Sequence, residues 1–298
     1  MVWREIQIKT WSDLMTQIDA IKSSKMVYRG QSDIDYCLES SLKRELNLFN
    51  NIHKKSGESI EQMFIRLESR FIEIYKSESH LYSDDNFHID NDDLSCLSIL
   101  QHYGAPTRLL DWSYSPYIST YFAVSNKFDK DAVLYALDLE YISRLNPNKI
   151  QEYYSASGKQ SKEISIMLFG RFYADQKARS DKKGDTFTEE IILVGYEPSK
   201  KNIRLARQQG LFLVSSKIDV NYEEVISSYG IGNGKSTDGK ENVALKFRID
   251  RKIKLDIMKN LQLMNISSEI LFPEMEGYCK GLKYKLINDN YTTNRREV

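Results

Sequence analysis

Apolar residues recur at three- and four-residue intervals along several stretches of this chain and form near-continuous short runs in others, so helices and strands are both expected. Trp11, Leu14, Ile18 and Ile21 share one side of a helix over 10–23, with Thr10 and Ser12 as caps. A short strand, KMVYRG, follows at 25–30. From Glu58 to Lys76, the positions of Ile60, Met63, Phe64, Leu67, Phe71, Ile74 and Tyr75 predict a long amphipathic helix with its acids and arginines outward. The acidic loop YSDDNFHIDNDD at 82–93 ends on Asp92 and Asp93, which cap a helix running to about Tyr103, where Gly104 stops it. Ser115-Pro116 begins another helix, apolar to Val124. AVLYALDLEYI at 132–142 reads as a buried strand leading into a turn, and a helix is expected near 163–174.

After the charged connection ARSDKKGD, the segment TFTEEIILVGYEP at 186–198 reads as a strand that enters on polar residues. KKNIRLARQQGLFLVSS is a basic segment broken at Gly210 before a short strand. GIGNGKSTDGKEN at 230–242 reads as the most mobile loop. NVALKFRID is a further strand, and helices over 253–263 and 274–286 precede the tail TTNRREV. The irregular alternation, without an internal repeat, predicts an α+β or mixed α/β class: a single globular domain with a small central mixed sheet packed with helices.

Composition narrows the function classes. The 298 residues are 41% hydrophobic, enough for a sizeable core, and 42 basic residues balance 42 acidic ones. No chain-wide field draws the protein to nucleic acid or anionic lipid. Cys37, Cys96 and Cys279 are dispersed and have no metal-ligand spacing, which points to reduced thiols in a reducing cytoplasm and to no structural zinc. No export signal and no membrane span are expected, because charge interrupts every apolar stretch.

Several motifs carry candidate chemistry. YRG at 28–30 ends a strand on Arg29 and Gly30, an arrangement in which a guanidinium reaches an anion while the backbone approaches closely. Its bland reading is an arginine paired with a nearby carboxylate. In QHYGAPTRLLDW, Thr107, Arg108 and Asp111 lie between two apolar helices, where unpaired polar groups are costly. Arg108 and Asp111 are expected to pair, Thr107 to hold the loop, and His102 to sit at a helix C-terminus. In TFTEEIILV, Glu189 and Glu190 point to opposite faces of a strand, so one of them can face a cleft. RLARQQGLF groups Arg204, Arg207, Gln208, Gln209 and Gly210 in a small basic patch. GIGNGKS is not a phosphate loop, since three residues rather than four separate Gly230 from Gly234 and no apolar strand leads in.

Taken together, YRGQ at 28–31, LSILQHYGAPTRLLDWSYSPYISTYFA at 97–123 and RLARQQGLF at 204–212 resemble the FRG domain family over roughly residues 10–216. That resemblance sets an FRG domain at 1–216 and an extension at 217–298 packed on the same domain. YRG and TEEIILV are also similar to the arginine and glutamate motifs of arginine-type ADP-ribosyltransferases, although Thr188 stands in the first glutamate place. This similarity implies an ADP-ribosyltransferase-like core and NAD as substrate. Arg29 would clamp the NAD phosphates or ribose, and Glu190 would hold a ribose hydroxyl and stabilise the oxocarbenium-like state. His102, counted with Arg29 and Glu190 as catalytic, and Tyr103 would shape the nicotinamide pocket or touch the ribose, with Gly30, Gln31, Thr107, Arg108, Asp111 and Gln209 completing the cofactor site. The implied role is a bacterial or phage toxin or defence effector modifying a protein or nucleic acid, neutralised by an antitoxin. The alternatives are a non-catalytic module holding a nucleotide or nucleic acid in the same cleft, and a hydrolase or nuclease, which the loop-like acids at 84–93 support poorly.

Overall fold

The computed structural model describes residues 1–21, 25–53, 57–82, 92–146, 191–273 and 275–287. Within them seven strands form one sheet: β1 (Arg4–Ile8), β2 (Met26–Gln31), β3 (Leu110–Ser113), β4 (Ala132–Asp138), β5 (Leu193–Tyr196), β6 (Gly210–Ser215) and β7 (Ala244–Ile249). Their order is β1-β7-β4-β2-β3-β6-β5. The β1–β7 pair is parallel and the others antiparallel, so the sheet is mixed, and the expected mixed α/β single domain is what forms.

Strand β4 is buried at every position, which is why AVLYALD reads as an uninterrupted apolar run: helices cover both of its faces. The two-residue period sorts the side chains. Met26 and Tyr28 join Leu134, Ala136 and Phe247 on one face, under α5 (Pro116–Val124) and the helix Lys254–Leu263. Val27 joins Val133, Tyr135 and Leu137 on the other, with the helix Tyr222–Ser228 and α6 (Leu139–Leu145). Helices α3 (Ile60–Glu78) and α4 (Asp93–His102) cover β5 and β6 on the α5 side. α1 (Trp11–Asp19) adds Leu14 and Ile18 to the first face.

Local signals hold where they were strong. Thr10, Asp92 and Ser115 cap α1, α4 and α5 through their side chains, and Gly104 ends α4 with a positive φ of 87°. Elsewhere tertiary context decides. Asp138 ends β4 and caps α6 by accepting from the Glu140 and Tyr141 amides, where a turn was expected. Gly210 is the first residue of β6 rather than a break before it. The loop at 230–242 is tied down: the Asn233 and Gly234 amides donate to the Met1 and Val2 carbonyls at 2.8 Å, and Ile231 and Ser236 are buried. β1, β3 and α2 (Ser41–His53) come from stretches with no clear period. The helix expected near 163–174 lies outside the described residues. Among the described residues no helix is long and apolar enough to cross a membrane.

Candidate functional site

Strand β2 pairs with β4 along its whole length but touches β3 at one rung, Tyr28 with Ser113. Beyond that rung the two strands part. Arg29 spans the gap, its Nη1 donating to the Asp111 carbonyl at 2.5 Å. A cleft of about 750 Å³ opens at this parting, lined by α4 and α5 together with the segment that follows β2.

The floor of the cleft is Arg29, Gly30 and Gln31 of β2 with Asp111, Trp112 and Ser113 of β3. One wall is Ser98, Gln101 and His102 of α4; the other is Ser119 and Phe122 of α5. Asp35, Tyr36, Cys37, Glu39 and Arg44 close one end, and Asn202, Arg204, Leu205 and Gln208 the other.

Close packing beside the floor requires Gly30. A Cβ there would stand 1.9 Å from the Ser119 carbonyl oxygen and 2.6 Å from the Ala123 nitrogen, so the missing side chain serves α5 rather than a ligand. Ser119 Oγ completes the seam by donating to the Tyr28 carbonyl at 2.9 Å.

Among the described residues Arg29 Nε, Gln31 Oε1 and Trp112 Nε1 are buried and have no hydrogen-bond partner, although such groups are normally paired. Burial pushes the Arg29 guanidinium below its ordinary pKa; Asp111 opposes that shift and Arg44 adds to it. Arg29, Arg44 and Arg204 all line the cleft, and no ion pair joins any of them to a described carboxylate. Arg44 donates instead to the Glu39 carbonyl at 2.8 Å, and Arg204 lies 4.6 Å from the centre of the Phe272 ring. The bland expectation of a carboxylate partner for Arg29 is therefore not met. Asp35, Glu39 and Asp111 line the cleft as well, so its charge is balanced overall, but guanidinium donors without a carboxylate partner suit an anion locally.

The sequence-predicted site separates into two sets. Arg29, Gly30, Gln31, His102 and Asp111 line the cleft. Thr107, Arg108, Tyr103 and Gln209 do not line it. Arg108 is 2% exposed and forks onto Glu68 of α3, with Nε at 2.8 and 2.9 Å from the two carboxylate oxygens and Nη2 on Oε2. The expected Arg108–Asp111 pair does not form, and Glu68 faces inward where the acids of this helix were expected outward. The reason is position on the strand: neighbours such as Leu110 and Asp111 face opposite sides of β3, and Arg108 precedes it, beside α3. Thr107, fully buried, accepts from Leu109 N at 3.1 Å and donates to Gln101 Oε1. Tyr103 is 73% exposed and meets the His102 ring edge-on, while Gln209 adopts a positive φ and its neighbour Gln208 lines the cleft.

Sequence reasoning missed Gln101 and Arg44. Gln101 opens the quoted motif but has no charge to draw notice, and Arg44 sits on a helix the pattern did not reveal. Glu189 and Glu190 lie outside the described residues, which resume at Ile191. Among the described residues no group of three or more His, Cys, Asp or Glu side chains is arranged to hold a metal ion.

Residues 24–132 match the family model described as the FRG domain. The match includes the floor strands β2 and β3 and both cleft walls, and it ends before Arg204 and Gln208. No curated protein and no solved structure matches the chain significantly. The comparisons add no support to the similarity with ADP-ribosyltransferases.

Proposed function

We propose that the cleft of this FRG domain binds a nucleotide-class ligand through its phosphate, with Arg29 as the anchoring cation. The observation that carries this reading is the vacant Arg29 Nε, buried at the floor in a cleft that two further arginines line. A phosphate accepts from several guanidinium donors at once, and its charge offsets the burial and mutual repulsion of Arg29 and Arg44. Phe122 and Tyr36 in the same cleft offer apolar surface to a base, and Asp111 offers an acceptor.

NAD fits that description. ADP-ribosyl transfer from NAD to a protein or nucleic acid is the finer reading, and it rests on the resemblance of YRG and TEEIILV to arginine-type transferases. In it Arg29 holds the pyrophosphate, and Glu190 stabilises the positive charge that develops on the ribose as the nicotinamide bond breaks.

Two measurements test these levels separately. Titration calorimetry with ADP-ribose and NAD is expected to show binding that weakens about tenfold to a hundredfold in Arg29→Ala and by less in Arg44→Ala. Equal affinity in wild type and both variants would remove the nucleotide reading. Release of nicotinamide from NAD, with cell lysate as acceptor, is expected in wild type and lost in Glu190→Gln. Binding without release identifies a non-catalytic nucleotide-binding module.

A further inference from the structure

We infer that Asp111 is the sugar-recognising residue of the cleft, selecting a ribonucleotide by accepting a hydrogen bond from a ribose hydroxyl, and that Gln101 positions it. This assignment rests on the nucleotide reading above.

A hydrogen-bond chain of one fixed sense runs from the Leu109 amide to Asp111. The Leu109 amide can only donate, and it donates to Thr107 Oγ1 at 3.1 Å. The Thr107 hydroxyl proton is then free to point onward, to Gln101 Oε1. That fixes the Gln101 amide with its nitrogen outward, and Nε2 donates to Asp111 Oδ1 at 2.8 Å. A backbone N–H at the start sets the direction of every later bond. Thr107 is itself immobilised, because Ser41 Oγ accepts from its amide at 3.0 Å and donates to its carbonyl at 3.2 Å.

The chain ends on Asp111, which is exposed and lines the cleft. Oδ1 is occupied by Gln101, whereas Oδ2 has no hydrogen-bond partner among the described residues. A carboxylate oxygen accepts, so the ligand group that meets it must donate. The Arg29 guanidinium donates to the main-chain carbonyl of this same residue, so the phosphate anchor lies beside the residue that carries the free carboxylate oxygen. In a nucleotide the donor nearest a phosphate is a sugar hydroxyl. Gln31, only 7% exposed, lines the same cleft, and its Oε1 has no hydrogen-bond partner among the described residues.

The test compares ADP with 2′-deoxy-ADP and 3′-deoxy-ADP by titration calorimetry on wild type, Asp111→Asn, Gln101→Leu and Arg44→Ala. Wild type is expected to bind ADP about tenfold or more tightly than at least one deoxy analogue. Asp111→Asn is expected to lose that ratio while keeping its affinity for the deoxy analogue, and Gln101→Leu to shrink it. Arg44→Ala should weaken every ligand alike and leave the ratio intact. A ratio near one in wild type, or a ratio that survives Asp111→Asn, overturns the assignment while leaving phosphate binding in place. No binding of any of the three by wild type overturns the nucleotide reading and this assignment with it. Because the readout is a ratio within each variant, a general loss of stability in Gln101→Leu does not imitate the expected result.

Discussion

Arg29 and Gly30 are neighbours whose side-chain positions fall on opposite faces of β2, so one short motif serves two ends. Arg29 supplies the vacant donor at the cleft floor, and Gly30 lets the α5 backbone settle on the strand. The second role gives a prediction at this scale. In Gly30→Ala the new methyl group meets main-chain atoms of Ser119 and Ala123, which no rotamer change relieves. A loss of about 2 kcal/mol or more is expected, read as a lower urea midpoint at unchanged slope. An unshifted midpoint would mean that α5 is free to slide away. The sequence made the motif conspicuous and suggested close approach, but it did not reveal that the approaching chain is a helix of the same protein.

Between elements, two buried cations act as ties. Arg108 joins the entry of β3 to Glu68 of α3, 40 residues away in sequence, and Tyr222 bonds the Arg108 carbonyl from the opposite side. Removing one partner leaves an uncompensated buried charge, so Glu68→Leu is expected to cost about 3–5 kcal/mol, and the double variant Glu68→Leu/Arg108→Leu less than that. Chemical denaturation of the three variants checks it; a double variant as weak as the sum of the singles would contradict a direct pair. Lys254, fully buried, donates to the carbonyls of Ser32, Asn126 and Lys127, binding its helix to the end of β2 and the end of α5. Lys254→Met strands those acceptors and is expected to lower stability by about 2–3 kcal/mol by the same measurement. The long period of α3 was plain in the sequence; the inward turn of Glu68 was not, since one acid on an amphipathic helix looks the same on either face until a partner arrives.

At the scale of the whole molecule, buried and half-buried phenols make stability fall at alkaline pH. Burial pushes the Tyr28 hydroxyl from 10.0 up to about 12, with Tyr117 adding to the shift, and burial likewise raises Tyr75 to about 12. The folded pKa lies above the unfolded one, so the unfolded chain loses these protons first. Stability from these groups is whole below pH 10 and is lost as pH rises from 10 to 12. Urea unfolding followed across that range is expected to show a falling free energy, with a shallower fall in Tyr28→Phe; an identical fall would place the loss elsewhere. The sheet itself follows from burial of this kind, since β4 needs apolar cover on both faces and helices from distant parts of the chain supply it.

By itself the sequence determined what repeats locally. Helical periods, the side-chain caps at Thr10, Asp92 and Ser115, the stop at Gly104 and the buried run of β4 each depend on residues close together in the chain, and all of them could be read before any partner was known. Tertiary structure alone decided what depends on partners. LDWS is too short to show a period, so β3 becomes a strand only where β6 and β2 meet it. The cleft exists because β2 and β3 share a single rung, and Asp111 faces it without Arg108 because Glu68 takes the guanidinium. Charge pairing and strand neighbours are set by distance in space, which the order of residues does not state.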